Sequence, residues 1–423
     1  MGCKKLIAKA KCFFVAIGVL LIGAPVVVAA ELPLIEAVKA GDGSTVRSLL
    51  ANGDAVDSSE PDGTTALHWA AHHNHEDIAR LLLASGATVD GVNRYEVTPL
   101  ALAALNGSAG MIEGLLEAGA DPNRPNPEGE TPLMTAARTG NRLALTVLLE
   151  HGADVDAIEA WRGQTALMWA VAQNQVDAVD VLLHAGADPN VRSTGGFTPI
   201  LFAAREGYLD VLDALVRAGA NVDDVVPSSG MSALVMSVYN AHYDFTKGLL
   251  AAGANPDAAD NGWSALHQVV WTRRPNLGRN PPFPVPHGEL DAFDLVRVLA
   301  DAGANLDIRQ TKEPRDGNRN ILNRVGSTAF LQAAKVADVE MMQLLADLGA
   351  DPAIMTEEGC TALMAAAGVG IWKIGENPGT NDQAVSAVAL AWELGNDVNA
   401  ADANGDTALH GAIHRGAGNI VSF

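Results

Sequence analysis

The sequence predicts an all-α solenoid, in which small helix-turn-helix units stack in one row along 423 residues. Three observations carry that prediction. A Thr/Ser-x-Leu phrase, with Ile200 or Phe330 in place of Leu in two copies, recurs at Thr65, Thr98, Thr131, Thr165, Thr198, Ser232, Ser264, Thr328, Thr361 and Thr407, with spacings of 33, 33, 34, 33, 34, 32, 64, 33 and 46. A Gly-Ala phrase follows most copies by 21 residues, as at Gly86, Gly119, Gly152, Gly186, Gly219 and Gly253. Hydrophobic residues make up 48% of the chain and aromatics only 5%. That composition supports a continuous core and suits closely stacked small helices better than a sandwich or a barrel.

The first thirty residues read as an address. Met1–Lys11 is basic, Cys12–Ala24 is apolar, Pro25 interrupts the run, and Val28-Ala29-Ala30 offers small residues before the polar Glu31. This is the pattern of a cleaved secretory signal peptide, residues 1–30, and it predicts a periplasmic or secreted protein. The alternative is an uncleaved anchor, because Cys12–Ala30 nearly spans a bilayer. The net charge is -22, and Lys4, Lys5, Lys9 and Lys11 all lie in this stretch. The remainder therefore carries 24 basic against 50 acidic residues, or -26. Such a body repels phosphate and argues against nucleic acid as a partner. Of three cysteines only Cys360 lies beyond this stretch, which excludes an intrachain disulfide framework.

Each unit has the chemistry of a helix pair. Thr caps the first helix, and Pro at the next position, as in Pro99, Pro132 and Pro199, fits the first turn. Ala70-Ala71, Ala103-Ala104 and Ala136-Ala137 allow close helix approach, and Leu82-Leu83, Leu115-Leu116, Leu148-Leu149 and Leu182-Leu183 mark a second apolar face. The following Gly ends the second helix in a left-handed turn. No unit buries its apolar face alone, so stacking must do it.

These two phrases at this period resemble the ankyrin repeat, from Leu34 to the end, about nine-tenths of the chain. The resemblance implies β-hairpin fingers along one edge of the stack and interhelix loops along the other. It places a half-regular cap at 31–60 and repeats starting near 61, 94, 127, 161, 194, 228, 260, 324, 357 and 403. Three insertions depart from the period. Eighteen extra residues fall between helices near 273–290, thirteen in a finger near 309–325, and thirteen between helices near 368–382. Long insertions in repeats often sit where something binds. The last repeat is incomplete and leaves Ile420, Val421 and Phe423 little to pack against. It reads as a truncated unit, the alternatives being a frayed end or one that pairs with another molecule.

No catalytic constellation is visible, and an enzyme is not expected. His68, His72, His73 and His75 are the best metal candidates, but no Cys or carboxylate completes a ligand set, so neither metal nor cofactor is expected. Asp223-Asp224 and similar acids read as solvated turns, and Cys360 as a surface residue at a finger tip.

In the ankyrin family the recognition surface comes from finger positions four, three and one before the Thr and from the two residues after the Ala pair. Carried onto this chain, these rules and neighbouring positions select His72, His73, Arg94, Tyr95, Arg138, Trp161, Arg162, Phe197, Arg205, Tyr239, Trp263 and Trp271. Arginine and aromatic residues dominate interface energies. The expected function is an exported, non-catalytic protein–protein interaction scaffold that binds an unidentified protein mixing basic and apolar surface. The chain resembles exported or periplasmic bacterial ankyrin-repeat proteins of unassigned function. The alternative is an accessory element of an extracytoplasmic enzyme, with a small-molecule or metal pocket lined by Trp271, Arg273, Arg274, His287 and Trp372.

Overall fold

The computed structural model describes residues 32–275, 284–313, 322–371 and 378–423. The N-terminal address, Trp372 and the middle of each insertion lie outside the described residues. The described chain is a row of helix pairs. They run Pro33–Lys39 with Gly43–Ala51, Ala66–His72 with Glu76–Ala84, Pro99–Asn106 with Ala109–Glu117, and Pro132–Thr139 with Arg142–Glu150. Next come Ala166–Ala172 with Val176–His184, Pro199–Glu206 with Leu212–Arg217, Ala233–Tyr239 with Tyr243–Ala251, and Ala265–Arg273 with Ala292–Asp301. The row ends with Ala329–Lys335 and Val339–Asp347, Ala362–Ala367 and Asn381–Glu393, and Ala408–Arg415 and Gly418–Ser422.

Local chemistry sets each pair. The Thr65, Thr98, Thr131 and Thr165 side chains accept from the backbone N–H three residues on, the standard N-cap bond. His68 returns the favour through Nδ1, 3.2 Å from Thr65 N, and its Nε2 meets Val97 O of the next finger at 3.0 Å. Gly107, Gly140 and Gly207 end first helices in the left-handed conformation.

First helices pack on first helices and second helices on second. Leu67, Leu100, Leu133 and Leu167 bury completely against neighbouring repeats, as do Leu82, Leu115, Leu148 and Leu182 on the second layer. Two ladders run along the row beside this core. Finger backbones link one to the next, as in Arg94 N to Asp62 O at 2.7 Å, Ala160 N to Glu128 O at 3.1 Å and Thr194 N to Arg162 O at 2.8 Å. Side-chain carboxyls and amides also bond the following turn, as in Asp154 N to Asn123 Oδ1 at 2.7 Å and Asn255 N to Asp223 Oδ1 at 2.7 Å. Much of the acidic charge is spent in these turns. True strands are short: Val225–Val226 pairs antiparallel with Met231–Ser232.

In the cap the Asp42 carboxylate takes the N–H groups of Ser44 and Thr45 and starts the second helix, which carries Leu49 and Leu50. Three expectations are corrected. Asp224 is buried rather than solvated, paired with Arg192 and accepting from Thr198 Oγ1 at 2.6 Å. Cys360 is 1% exposed, and burial pushes its thiol up to about 12. Its N–H bonds Thr356 Oγ1 at 3.1 Å, which turns the side chain inward at the base of the finger. At the last unit Ile420 is buried, whereas Val421 and Phe423 are exposed, with the Phe423 ring 6.4 Å from that of Trp392.

The insertion near 309–325 does not simply project as a finger. Leu322 is buried, and its N–H bonds Gly370 O at 3.1 Å, just past the far end of the helix Ala362–Ala367. Arg324, also buried, is held by both Nε and Nη2 to Glu313 Oε2 at 3.1 and 2.9 Å. The returning segment therefore lies along the concave side, and every residue of the helices Ala329–Lys335 and Ala362–Ala367 is buried.

Candidate functional site

The groove between the fingers and the first helices is lined by two positions of each first helix, the fourth and seventh residues after the cap. In the N-terminal half these are Trp69 and His72, Leu102 and Leu105, Thr135 and Arg138, Trp169 and Ala172, and Phe202 and Arg205. Cations lie over aromatic rings along this row. Lys39 Nζ is 4.6 Å from the Trp69 ring, Arg138 5.2 Å from Trp169, and Arg205 5.0 Å from Phe202 and 5.5 Å from Phe197. Two finger tips carry pairs of their own, Arg94 over Tyr95 at 4.9 Å and Arg162 over Trp161 at 4.4 Å. Each pair restrains a long cationic side chain and so lowers the ordering cost of a later contact.

The twelve residues selected from sequence divide into two groups. His72, His73, Arg94, Tyr95, Trp161, Arg162 and Arg205 are exposed, and Trp161 is 70% exposed at its finger tip. Arg138, Phe197, Tyr239, Trp263 and Trp271 are half-buried. Trp263 gives its indole N–H to Gln268 Oε1 at 2.9 Å, and Trp271 has the Arg324 guanidinium 5.7 Å from its ring. Trp271 therefore packs beside the returning insertion, and Trp263 is tied to the first helix of its own repeat.

At the N-terminal end His72 and His73 surround Trp69, with ring centroids at 5.7 and 5.5 Å. Partial burial, with His72 next in effect, holds His73 below the ordinary histidine value. These imidazoles form an aromatic cluster, and among the described residues no group of three or more His, Cys, Asp or Glu is placed to hold a metal ion.

Sequence reasoning missed Lys39, Glu60 and the groove role of Trp69 and Trp169. The signal was present in the period: all but Glu60 stand at the fourth or seventh place after a cap. Glu60 accepts Trp69 Nε1–H at 3.0 Å and pairs with Lys39 at 2.7 Å. The Trp169 Nε1–H is shielded from solvent and has no hydrogen-bond partner among the described residues.

Of the residues selected for an alternative pocket, Trp372 lies outside the described residues, and Arg273 and Arg274 are engaged in an ion-pair network. Arg273 Nε and Arg274 Nε reach the fully buried Asp338 carboxylate at 2.8 and 3.5 Å, and Arg273 Nη2 also meets Glu340 at 3.1 Å. His287 is exposed.

A family model described as ankyrin repeats in three copies matches residues 34–126, 119–193 and 200–278. Two solved structures are similar. The human ASB11 ankyrin repeat domain is 30% identical, with a TM-score of 0.48, over 53% of this chain and 99% of that one. The ankyrin repeat domain of Bcl-3, described as a unique member of the IkappaB protein family, is 29% identical, with a TM-score of 0.45, over 48% of this chain and 93% of that one. No curated protein matches the chain.

Proposed function

The chain belongs to the ankyrin-repeat family, whose repeats are generally protein–protein interaction modules, and from that premise we propose that it is an exported, non-catalytic scaffold binding a partner protein through its N-terminal groove and fingers. One observation carries the choice of surface. Arginine and aromatic side chains stand exposed and pre-paired at Tyr95, Trp161, Arg162 and Arg205 in a chain with few aromatics. Exposed apolar groups of this size mark interaction surfaces, and tryptophan, tyrosine and arginine supply most hot spots. The basic and apolar features of residues 1–30 support export. The acidic body disfavours a nucleic-acid partner. Membrane attachment follows only if the N-terminal segment is retained.

The test replaces Tyr95, Trp161, Arg162 and Arg205 together by alanine. Partner recovery from the extracytoplasmic fraction should fall at least tenfold, since one hot spot alone is worth about 2 kcal/mol. Equal recovery with the circular dichroism unchanged removes this surface from the function. The mass of the purified chain tests export separately, because cleavage after Ala30 leaves Glu31 as the first residue.

A further inference from the structure

We propose that Arg138 and Trp169 form a recognition point in the groove for the side-chain carboxylate of a glutamate or aspartate carried by the bound segment. This deepens the groove reading above and rests on it. The molecule contains its own template for such a point. Lys39, the seventh residue after its helix cap, lies over the ring of Trp69, the fourth residue after the next cap. Glu60 completes the group: one oxygen takes the Trp69 indole N–H at 3.0 Å and the other meets Lys39 Nζ at 2.7 Å.

Arg138 and Trp169 stand at the same two places three repeats along, seventh after Thr131 and fourth after Thr165, with the guanidinium over the ring. What differs is the carboxylate. Glu60 opens its finger hairpin, bonding Thr64 O through its N–H, and Glu159 opens the fourth hairpin by bonding Gln164 O. That hairpin is one residue longer, and Glu159 turns into it. Its oxygens accept the backbone N–H groups of Trp161, Arg162 and Gln164 at 2.6, 2.7 and 3.1 Å. Trp169 Nε1–H is left with no partner among the described residues. The carboxylate beside Arg138 is Glu130, 4.0 Å away, beyond hydrogen-bond range.

An indole N–H beside a guanidinium calls for an acceptor that is also an anion. An amide carbonyl satisfies the N–H but gives the cation no hydrogen-bonded anion, whereas a carboxylate does both, as Glu60 shows. A side chain fits better than a chain terminus, because the groove continues past this point on both sides, to Trp69 and to Phe202. The guanidinium of Arg138 lies over the Trp169 ring, and the Arg138 side chain is 36% exposed, so it can be reached from the groove.

The experiment titrates the 15N-labelled full chain with N-acetylglutamate N′-methylamide, and in parallel with the glutamine analogue, at matched ionic strength. The Trp169 indole N–H signal is assigned by its loss in Trp169→Phe. The glutamate probe should move this signal downfield to saturation, and the glutamine probe should not. Arg138→Gln should weaken the effect about tenfold or more, as expected for a hydrogen-bonded ion pair. A signal that stays in place, or that moves equally with both probes, overturns the carboxylate point. If it is overturned while the four-residue alanine variant still loses its partner, the groove reading stands. If the variant keeps its partner, the groove reading fails on its own test.

Discussion

From Trp69 to Arg205 the groove side of the first helices is open, whereas over Ala329–Lys335 and Ala362–Ala367 it is closed. The helix pairs beneath are alike in caps, leucines and terminal turns. The difference lies at the fourth and seventh positions and in one insertion. The open half presents Trp69, Arg138, Trp169 and Arg205. The closed half presents Gln268, Gln332 and Lys335, all buried, under a returning segment that anchors Leu322 and Arg324. Gln332 Nε2 meets Gln310 Oε1 at 2.5 Å and Ser327 Oγ at 3.1 Å, so this amide is satisfied within the chain. The lesson is that a repeat stack covers its concave face wherever its own chain is long enough to do so. A partner then reads the part left uncovered.

The largest expected effect tests what stabilises the closed half. Asp338 is fully buried and neutralises Arg273 and Arg274, so Asp338→Ala leaves Arg273 to the exposed Glu340 and the ring of Phe293, and Arg274 to the Ala337 carbonyl. Removing one partner of a buried ion pair costs about 3–4 kcal/mol. Hydrogen exchange should accelerate across the helices Ala265–Arg273 to Val339–Asp347 and remain slow around Leu67 and Leu100. Uniform acceleration along the whole row would show that the two halves unfold as one unit.

Acid provides the next contrast. His68 and His267 make the same capping bonds in the two halves, and a backbone carbonyl, Val97 or Ser327, gives each partial relief, yet the deeper burial of His267 lowers it to about 4, while for His68 burial lowers the value too. Both imidazoles favour the neutral form in the fold. Their contribution is therefore whole above the ordinary value of 6.5 and is lost as the pH falls through 6.5 toward 4. For His267 the loss at pH 4 is about 3 kcal/mol, at 1.36 kcal/mol per pKa unit. Region-resolved hydrogen exchange between pH 7 and pH 4 should show the repeat at Ser264 loosening before the repeat at Thr65.

How much of this was legible beforehand follows from the physics of each feature. Caps, stacking and core depend on local pattern, and Thr65, Leu67 and Leu82 stand where the period put them. Cys360 and Asp224 were misjudged because their burial depends on turn geometry: Thr356 and Arg192 pull them inward. The path of the finger insertion depended on Leu322 finding Gly370, 48 residues along the chain, which no local pattern encodes. The groove pairs were half visible. The period marks the positions of Lys39, Trp69, Arg138 and Trp169, but not which carboxylate turns toward an indole and which turns into its own hairpin.

A smaller effect probes the closure itself. Gly370 has φ +78, and an added Cβ would come within 2.5 Å of Leu322 Cβ and 2.7 Å of its Cα. Gly370→Ala combines left-handed strain with a backbone clash and should cost about 2 kcal/mol. The segment 322–325 should lift, exposing Gln332 and Lys335. Protection at these two residues would then fall while Trp69 and Trp169 fluorescence stays unchanged. Retained protection would mean that Arg324 and Glu313, not Leu322, fix the segment.

The smallest effect converts one end of the open half into the other. Glu60→Ala removes the carboxylate that joins Lys39 to Trp69 and leaves the first repeat in the condition of the fourth, with a cation over a tryptophan and an indole N–H without its acceptor. The three groups are partly exposed, so the stability loss is only about 1 kcal/mol. The informative readout is the Trp69 indole N–H in the 15N-labelled protein. In the native chain it is already bonded and should ignore N-acetylglutamate N′-methylamide. In Glu60→Ala it should respond as Trp169 does, because position in the repeat, not the finger sequence, places cation and indole together. A Trp69 signal that stays silent while Trp169 responds would mean that the guanidinium of Arg138, with its planar fork, does something an ammonium at Lys39 cannot.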